Sequence, residues 1–387
     1  MLNLHQHRRF IVAFIDDGIN SDYISRDIAF ESYIADENEV RVAPPVNSIS
    51  HGTLCHHIFS AYVLAPYRLI SIQVLNDETG MGNHKSLVAA LDWCARREID
   101  VINISLGTQQ YTDFASIAEK IKRLHDTIIV AACSNQNELT FPACLPQVIG
   151  VRHCSHEALR EGFAYLHDAY DQIEVLICAK EVTLTTDKGV GTTASAANSY
   201  AAPVISAYIC NYLVQGIMKS ENIRQQLEAD AVPFSFNCGF YEKLIHIWEE
   251  PSIPMVAVMC DDPGIAREKM AAIINIMVSE GYRAIGLSLN LHTDAEDLIF
   301  HLPCNADAKV SLPDLITLYY NYAKPDIIFL HMDVGKQRTL PEVIRPETVL
   351  CMPDKLNDTC GCWEKKNILN LCDDATILVE GIEHLYI

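Results

Sequence analysis

Apolar residues in the first half of the chain come in short continuous runs rather than in strict alternation. This is the pattern of strands buried on both faces of a parallel sheet. Such runs lie at Phe10–Ile15, Leu69–Leu75, Val101–Ile104, Ile128–Ala132, Val148–Val151 and Glu174–Ala179. Between them the apolar spacing changes to three and four. Leu87 with Leu91 and Ala90 with Cys94 mark one helical face within Lys85–Glu98; Ile117, Ile121 and Leu124 mark another within Thr112–Leu124. Strands alternating with helices predict an α/β fold of three layers, α/β/α, around a mostly parallel sheet. A more polar stretch, Gln215–Glu250, reads as a connection punctuated by Pro251 and Pro254. A second α/β pattern follows. Its strands are expected at Met255–Cys260, Arg283–Leu289, Asp326–His331, Thr348–Met352 and Thr376–Val379, with helices at Ile265–Gly281 and Leu312–Ala323. The expected organisation is a first domain over 1–215, a linker over 216–250 and a smaller α/β domain over 251–387.

Three polar residues stand at junctions of this pattern. Asp16 ends the first apolar run in Ile15-Asp16-Asp17-Gly18, His51 opens a helix in Ser50-His51-Gly52-Thr53, and Ser199 begins another in Asn198-Ser199-Tyr200-Ala201-Ala202-Pro203. A serine hydroxyl is a weak nucleophile until a base takes its proton, and the base must be held in one tautomer by an acceptor. Ser199 is therefore assigned as nucleophile, His51 as general base and Asp16 as the acceptor that orients His51. Asp16 is preferred to Asp17 because it comes directly off the strand, and Gly18 then permits a tight turn. A helix from about Tyr200 to Tyr212, with Pro203 in its first turn, would place Ser199 in positive potential. Small residues lead into it, Gly189, Gly191, Ala194, Ser195, Ala196 and Ala197 among them, and let backbone pass close to a substrate. Asn135 sits just past the run Ile128–Ala132, where its side-chain amide and the Ser199 N–H could together bind an oxyanion.

These residues, in the order Asp, His, Ser, resemble the subtilisin-like serine peptidases. The resemblance extends over about Phe10 to Tyr212. Leu69–Leu75, with Gly80 and Gly82 in the loop that follows, resembles the family's central strand and loop; Asp100–Gly107 resembles its substrate-lining segment; Phe141-Pro142-Ala143 with Val148–Val151 resembles the stretch after the oxyanion loop. The resemblance implies that Ser105, Leu106 and Gly107 pair with a substrate backbone and that, with Ala132 and the residues after it, they shape the specificity pocket. Two departures stand out: Ala197-Asn198 where the family has Gly-Thr, and Ser134 where it has Gly. Together with the compact first domain and the absence of a pro-segment before Phe10, they suggest a dedicated processing enzyme of low turnover. A second resemblance is to the cytoplasmic subtilisin-like proteins of bacterial peptide maturation, which remove leaders from ribosomally made precursors. The rival expectation is a subtilisin-like scaffold that binds a precursor without cutting it.

Composition narrows the setting. The chain has 387 residues, 49% hydrophobic and 20% charged, with a net charge of -21. That charge argues against nucleic acid and anionic membranes and favours basic or neutral partners. A peptide or precursor protein is the expected substrate, and homo-oligomerisation stays open. No apolar run reaches membrane-spanning length, and the polar N-terminus carries no signal-peptide core, so a cytoplasmic location is expected. Most of the 14 cysteines lie inside apolar segments, as buried reduced thiols do. Cys360-Gly361-Cys362 with Cys372 has one residue between the paired cysteines, too few for the usual zinc spacing. No metal and no cofactor is assigned. His56 and His57 are read as structural, and Cys55 as a packing residue on the His51 helix. In the second domain, Asp261-Asp262-Pro263-Gly264 follows a strand but lacks the glycines, lysine and Ser/Thr of a phosphate loop. Asp262 is read instead as a helix cap, with Pro263 at the first helical position. The end of the strand at His331-Met332-Asp333 is noted as a candidate rim site.

Overall fold

In the computed structural model, a strand at Phe10–Asp16 (β1) runs through the middle of a nine-stranded sheet, and every residue of it but Ile11 is buried. The structure describes residues 9–75, 82–167, 169–185, 189, 191–217, 220–234, 253–289, 297–302, 311–332, 346, 348–351 and 367–386. The sheet also contains Ala29–Ala35 (β2), Val40–Val42 (β3), Tyr67–Gln73 (β4), Val101–Ile104 (β5), Ile128–Ala132 (β6), Val148–His153 (β7), Phe163–Tyr165 (β8) and Val175–Ile177 (β9). Its spatial order is β3-β2-β4-β1-β5-β6-β7-β9-β8. The seven inner strands are parallel; β3 and β8 pair antiparallel at the two edges.

Six of these strands answer the apolar runs. The others, β2, β3 and β8, carry no such run. β2 is mostly half-buried at the sheet margin, and β3 is largely exposed. Strands at a sheet margin form because a neighbour offers hydrogen bonds, which leaves little trace in hydrophobic pattern.

Helix His51–Tyr62 (α1) and the long helix Asn198–Val214 (α4) pack together on one face of the sheet. Helices His84–Cys94 (α2) and Phe114–Lys122 (α3) pair with each other, and α2 also meets β2. α4 is buried nearly all round, as a helix threaded through a core must be. Val12 and Phe14 of β1 share one apolar cluster with Leu54, Ile58 and Phe59 of α1 and with Ala201, Ile205 and Ile209 of α4. An antiparallel hairpin, Val182–Thr185 with Gly191–Ala194, leads into α4. The small residues before Ser199 are thus partly taken up in a hairpin rather than left as a free loop.

The first compact unit extends to Phe236, past the boundary at 215 expected from the sequence. The reason is a helix at Ser220–Asp230 (α5), whose Ile223 and Leu227 are fully buried in the first unit's core. Its Arg224 grips both carboxylate oxygens of Glu174, at 2.8 and 2.9 Å, and also donates to the Pro146 carbonyl at 2.8 Å.

The second unit, Asn237–Ile387, holds a six-stranded all-parallel sheet. Its order is Ile299–His301, Ala284–Ser288, Ile327–Met332, Met255–Met259, Thr348–Cys351 and Asn367–Asn370. Helices form at Pro263–Ser279 and Leu312–Ala323, close to expectation. Asp262 caps the first of them, accepting from the N–H groups of Gly264 and Ile265 at 2.9 and 3.1 Å. One expected strand is corrected: Thr376–Val379 lies inside a helix, Ala375–Tyr386. Its β-branched residues favour a strand, but burial of Leu378, Val379 and Ile382 on one side decides for the helix. His331 is likewise no rim residue. It is fully buried, with Nδ1 2.9 Å from Ser288 Oγ and Nε2 3.0 Å from the Cys260 carbonyl. Asp333, Gly80, Pro251 and the Cys360/Cys362 pair lie outside the described residues. No described helix is long and apolar enough to cross a membrane.

Replacing the fully buried Leu227 tests whether α5 belongs to the first unit. Leu227→Ala in the full chain is expected to lower that unit's stability by about 2–5 kcal/mol, measured by urea unfolding. A change near zero would show α5 to be a detachable connection.

Candidate active site

Parallel strands deliver their C-terminal ends to one edge of a sheet, and that edge is where clefts form. Here β4, β1, β5 and β6 are consecutive neighbours. Their ends therefore bring Val74 and Leu75, Asp16, Ser105–Gly107 and Ala132–Asn135 together. A cleft of about 850 Å³ opens there, and Ser199, Asn135, Ser105, Leu106, Gly107 and Ala132 all line it.

Asp16 is 1% exposed at the end of β1. Its carboxylate can only accept, so the His51 Nδ1 atom, 2.9 Å from Oδ1 and 3.0 Å from Oδ2, carries the proton between them. The Asp17 N–H donates to the same carboxylate at 2.9 Å. With Nδ1 protonated, His51 Nε2 presents its lone pair, and the Ser199 hydroxyl lies 2.9 Å from it. Burial of the ring opposes its charged form, but the adjacent Asp16 carboxylate and Cys55 together outweigh this and raise the His51 pKa above the ordinary 6.5. The Tyr200 ring packs against the imidazole at a centroid distance of 4.9 Å.

Asp17 has a different task from Asp16. Its two oxygens accept from the N–H groups of His51 and Gly52, at 2.9 and 2.7 Å, so it caps the positive end of α1. Burial, and then the nearby Asp16 charge, raise its pKa. Ser50 completes the cap: its hydroxyl accepts from Thr53 N–H at 3.1 Å and donates to the Gly18 carbonyl at 2.7 Å. Gly18 adopts φ +99°, the left-handed turn only glycine takes freely. A Cβ on Gly52 would lie 2.5 Å from Gly18 O and 3.2 Å from Asp16 Cβ, so α1 can approach the Asp16 turn only with glycine at that position.

α4 begins at Asn198, two residues earlier than expected, so Pro203 falls in the second turn rather than the first. Proline lacks the N–H that would have bonded the carbonyl four residues back. That carbonyl belongs to Ser199, and the Cys55 thiol donates to it instead at 3.6 Å. Burial pushes the Cys55 pKa up, which keeps the sulfur a neutral donor. Cys55 Sγ also lies 3.7 Å from His51 Nδ1. Asp16, His51 and Cys55 offer ligand atoms within 4.8 Å of one another, but each is already engaged in these hydrogen bonds. Of the other helix histidines, His56 is buried against the Tyr67 hydroxyl at 3.0 Å, and burial lowers its pKa to about 4.

Asn198, read from the sequence only as a small replacement, is a three-way clamp. Its N–H donates to Asn135 Oδ1 at 3.0 Å, its Nδ2 to the Ser134 carbonyl at 2.8 Å, and its Oδ1 accepts from His153 N–H at 2.7 Å. The oxygen of the Asn135 amide is thereby committed to the helix, which leaves the Nδ2 end for a ligand in the cleft. Ser134, the other departure, keeps an ordinary negative φ. Its hydroxyl accepts from Gln109 Nε2 at 3.0 Å and from Gln136 N–H at 3.1 Å. Beneath the cleft, buried Asn103 donates to Ser105 Oγ at 2.8 Å and accepts from Ser206 of α4 at 3.0 Å, which ties the lining segment to the helix that carries Ser199. Thr108 and Phe141 exchange backbone hydrogen bonds of 2.9 Å in each direction and hold the far end of the same segment.

Asn198→Ala would strand the His153 N–H and leave the Ser134 carbonyl with the Asn137 N–H alone. The expected loss is about 1–3 kcal/mol of stability, read by urea unfolding, with no loss of helix content by circular dichroism.

The model of the subtilase family of peptidases matches residues 7–243 of this chain. Subtilisin DY of Bacillus licheniformis is 27% identical over 169 residues, covering 40% of this chain and 59% of that protein. Subtilisin NAT of Bacillus subtilis subsp. natto is 26% identical over 177 residues, covering 41% of this chain and 45% of that protein. The alignments thus span about half of each curated relative. Among solved structures, the prenylagaramide maturation protease PagA superposes with a TM-score of 0.46 at 19% identity, over 60% of this chain and 86% of that one. With the family model covering more than half of its length, this chain belongs to the subtilase family.

Proposed function

We propose that this protein is a serine endopeptidase that cuts a peptide or precursor protein by acyl transfer. The observation that carries the reading is the imidazole of His51, held by Asp16 on one side and 2.9 Å from Ser199 Oγ on the other. Ser199 attacks the scissile carbonyl while His51 takes its proton at Nε2. Asp16 stabilises the imidazolium that results. Asn135 Nδ2 and the Ser199 N–H, at the positive end of α4, receive the oxyanion. His51 then returns the proton to the leaving amine, and a water molecule, activated the same way, releases the acyl group. Ser105, Leu106 and Gly107 align the substrate, and Ala132 forms part of the pocket beside them. The Asn198 clamp supports catalysis over mere binding, because it holds the Asn135 amide with its nitrogen free. Cys94, Cys144 and Cys210 of the first unit are buried free thiols, which supports a reducing, cytoplasmic setting.

A fluorophosphonate probe is expected to label Ser199 in the folded protein, identified by peptide mass spectrometry, and to fail on His51→Ala. Absence of label both alone and with precursor peptide would leave a binding scaffold.

The pH dependence follows from the site. Protonated His51 cannot act as base, so kcat/KM should rise with pH through its pKa, on a limb lying above 6.5. Asp16→Asn removes the charge that raises that pKa. The limb should move toward acid while kcat falls by about 10⁴-fold, both readable in one pH–rate series.

A further inference from the structure

Asp113 lines the same cleft as Ser199, and its side chain is only 7% exposed. It stands at the N-cap of α3, where an aspartate normally accepts from the first turn, yet it makes no side-chain capping bond. Its carboxylate is turned to the cleft lining instead. Oδ2 accepts from Thr108 Oγ1 at 2.7 Å, and Oδ1 lies 3.1 Å from Nδ1 of His84, the first residue of α2. Neither partner brings a permanent positive charge. Among the described residues lining the cleft, Asp113 is the only carboxylate, and no lysine or arginine is present. A buried anion partnered only by a hydroxyl and an imidazole favours a cation placed beside it. Leu87, one turn along α2 from His84, and Leu106 supply the apolar wall that the methylenes of such a side chain require.

We propose that Asp113, with His84 and Thr108, selects peptide substrates that carry a lysine or arginine side chain in this part of the cleft. This rests on the peptidase reading above and names its substrate class. The chain's net charge of -21 acts in the same direction, drawing cationic peptides toward the surface.

The test uses the full chain and sets of quenched-fluorescence octapeptides that differ at one position, occupied in turn by arginine, lysine, citrulline, leucine or glutamate. Citrulline keeps the shape of arginine without the charge. At one position, arginine and lysine should exceed citrulline in kcat/KM by tenfold or more, and Asp113→Asn should collapse that ratio toward one. Asp113→Ser, which removes the charge with a smaller side chain, should collapse the ratio likewise and serves if Asp113→Asn fails to fold. The proposal is overturned if the wild type shows no preference for charge at any position, or if Asp113→Asn lowers all peptides alike. Should no peptide be cut, fluorescence anisotropy of the same set on Ser199→Ala separates the two ideas. Tighter binding of arginine over citrulline, lost with Asp113→Asn, would sustain the subsite while the peptidase reading fails; equal binding would overturn the subsite.

Discussion

The site is organised by one buried negative charge. A carboxylate at the end of a central parallel strand, surrounded by apolar residues, is costly unless several donors meet it. Asp16 is met by its own chain in the Asp17 N–H and by the His51 ring. Much of the nearby architecture exists to bring those donors in. Gly18 turns the chain, Gly52 lets α1 approach, and Asp17 and Ser50 cap the helix so that its first residue arrives facing Asp16. The charge that would weaken a fold core thereby raises the basicity of the imidazole that faces Ser199.

The second constraint lies across the cleft. Ser199 and Asn135 come from distant parts of the chain, and the Asn198 side chain locks the two segments together from behind. Where the family has Gly-Thr, this chain uses an asparagine with three hydrogen bonds. Asn198 and Ser134, the two departures from the family pattern, are each held by hydrogen bonds. Pro203 and Cys55 form a similar pair: the proline frees a carbonyl and the thiol satisfies it.

The cleft also has a chemical bias apart from the Asp16, His51 and Ser199 group. Burial of Asp113 beside His84 makes one part of it electrostatically distinct from the leucine-lined wall next to it. On the proposed reading, a cleft built this way discriminates among peptides by charge.

Much of this was legible in the chain. The continuous apolar runs located six of the nine strands of the first sheet, because strands covered on both faces must be apolar throughout. Asp16, His51, Ser199 and Asn135 were legible as candidates because each proposed role demands its own residue type at the end of an element. Other features depended on partners far away in sequence. β2 exists because β4 offers it an edge and β3 because β2 does, and Thr376–Val379 is helical because a buried face overrides β-branched preference. α5 joins the first unit through Ile223, Leu227 and Arg224, contacts that no local pattern announces. The roles of Asn198 and Asp113 were decided by tertiary structure alone. A polar side chain takes its function from the donors and acceptors brought to it, and most of these came from segments tens of residues apart.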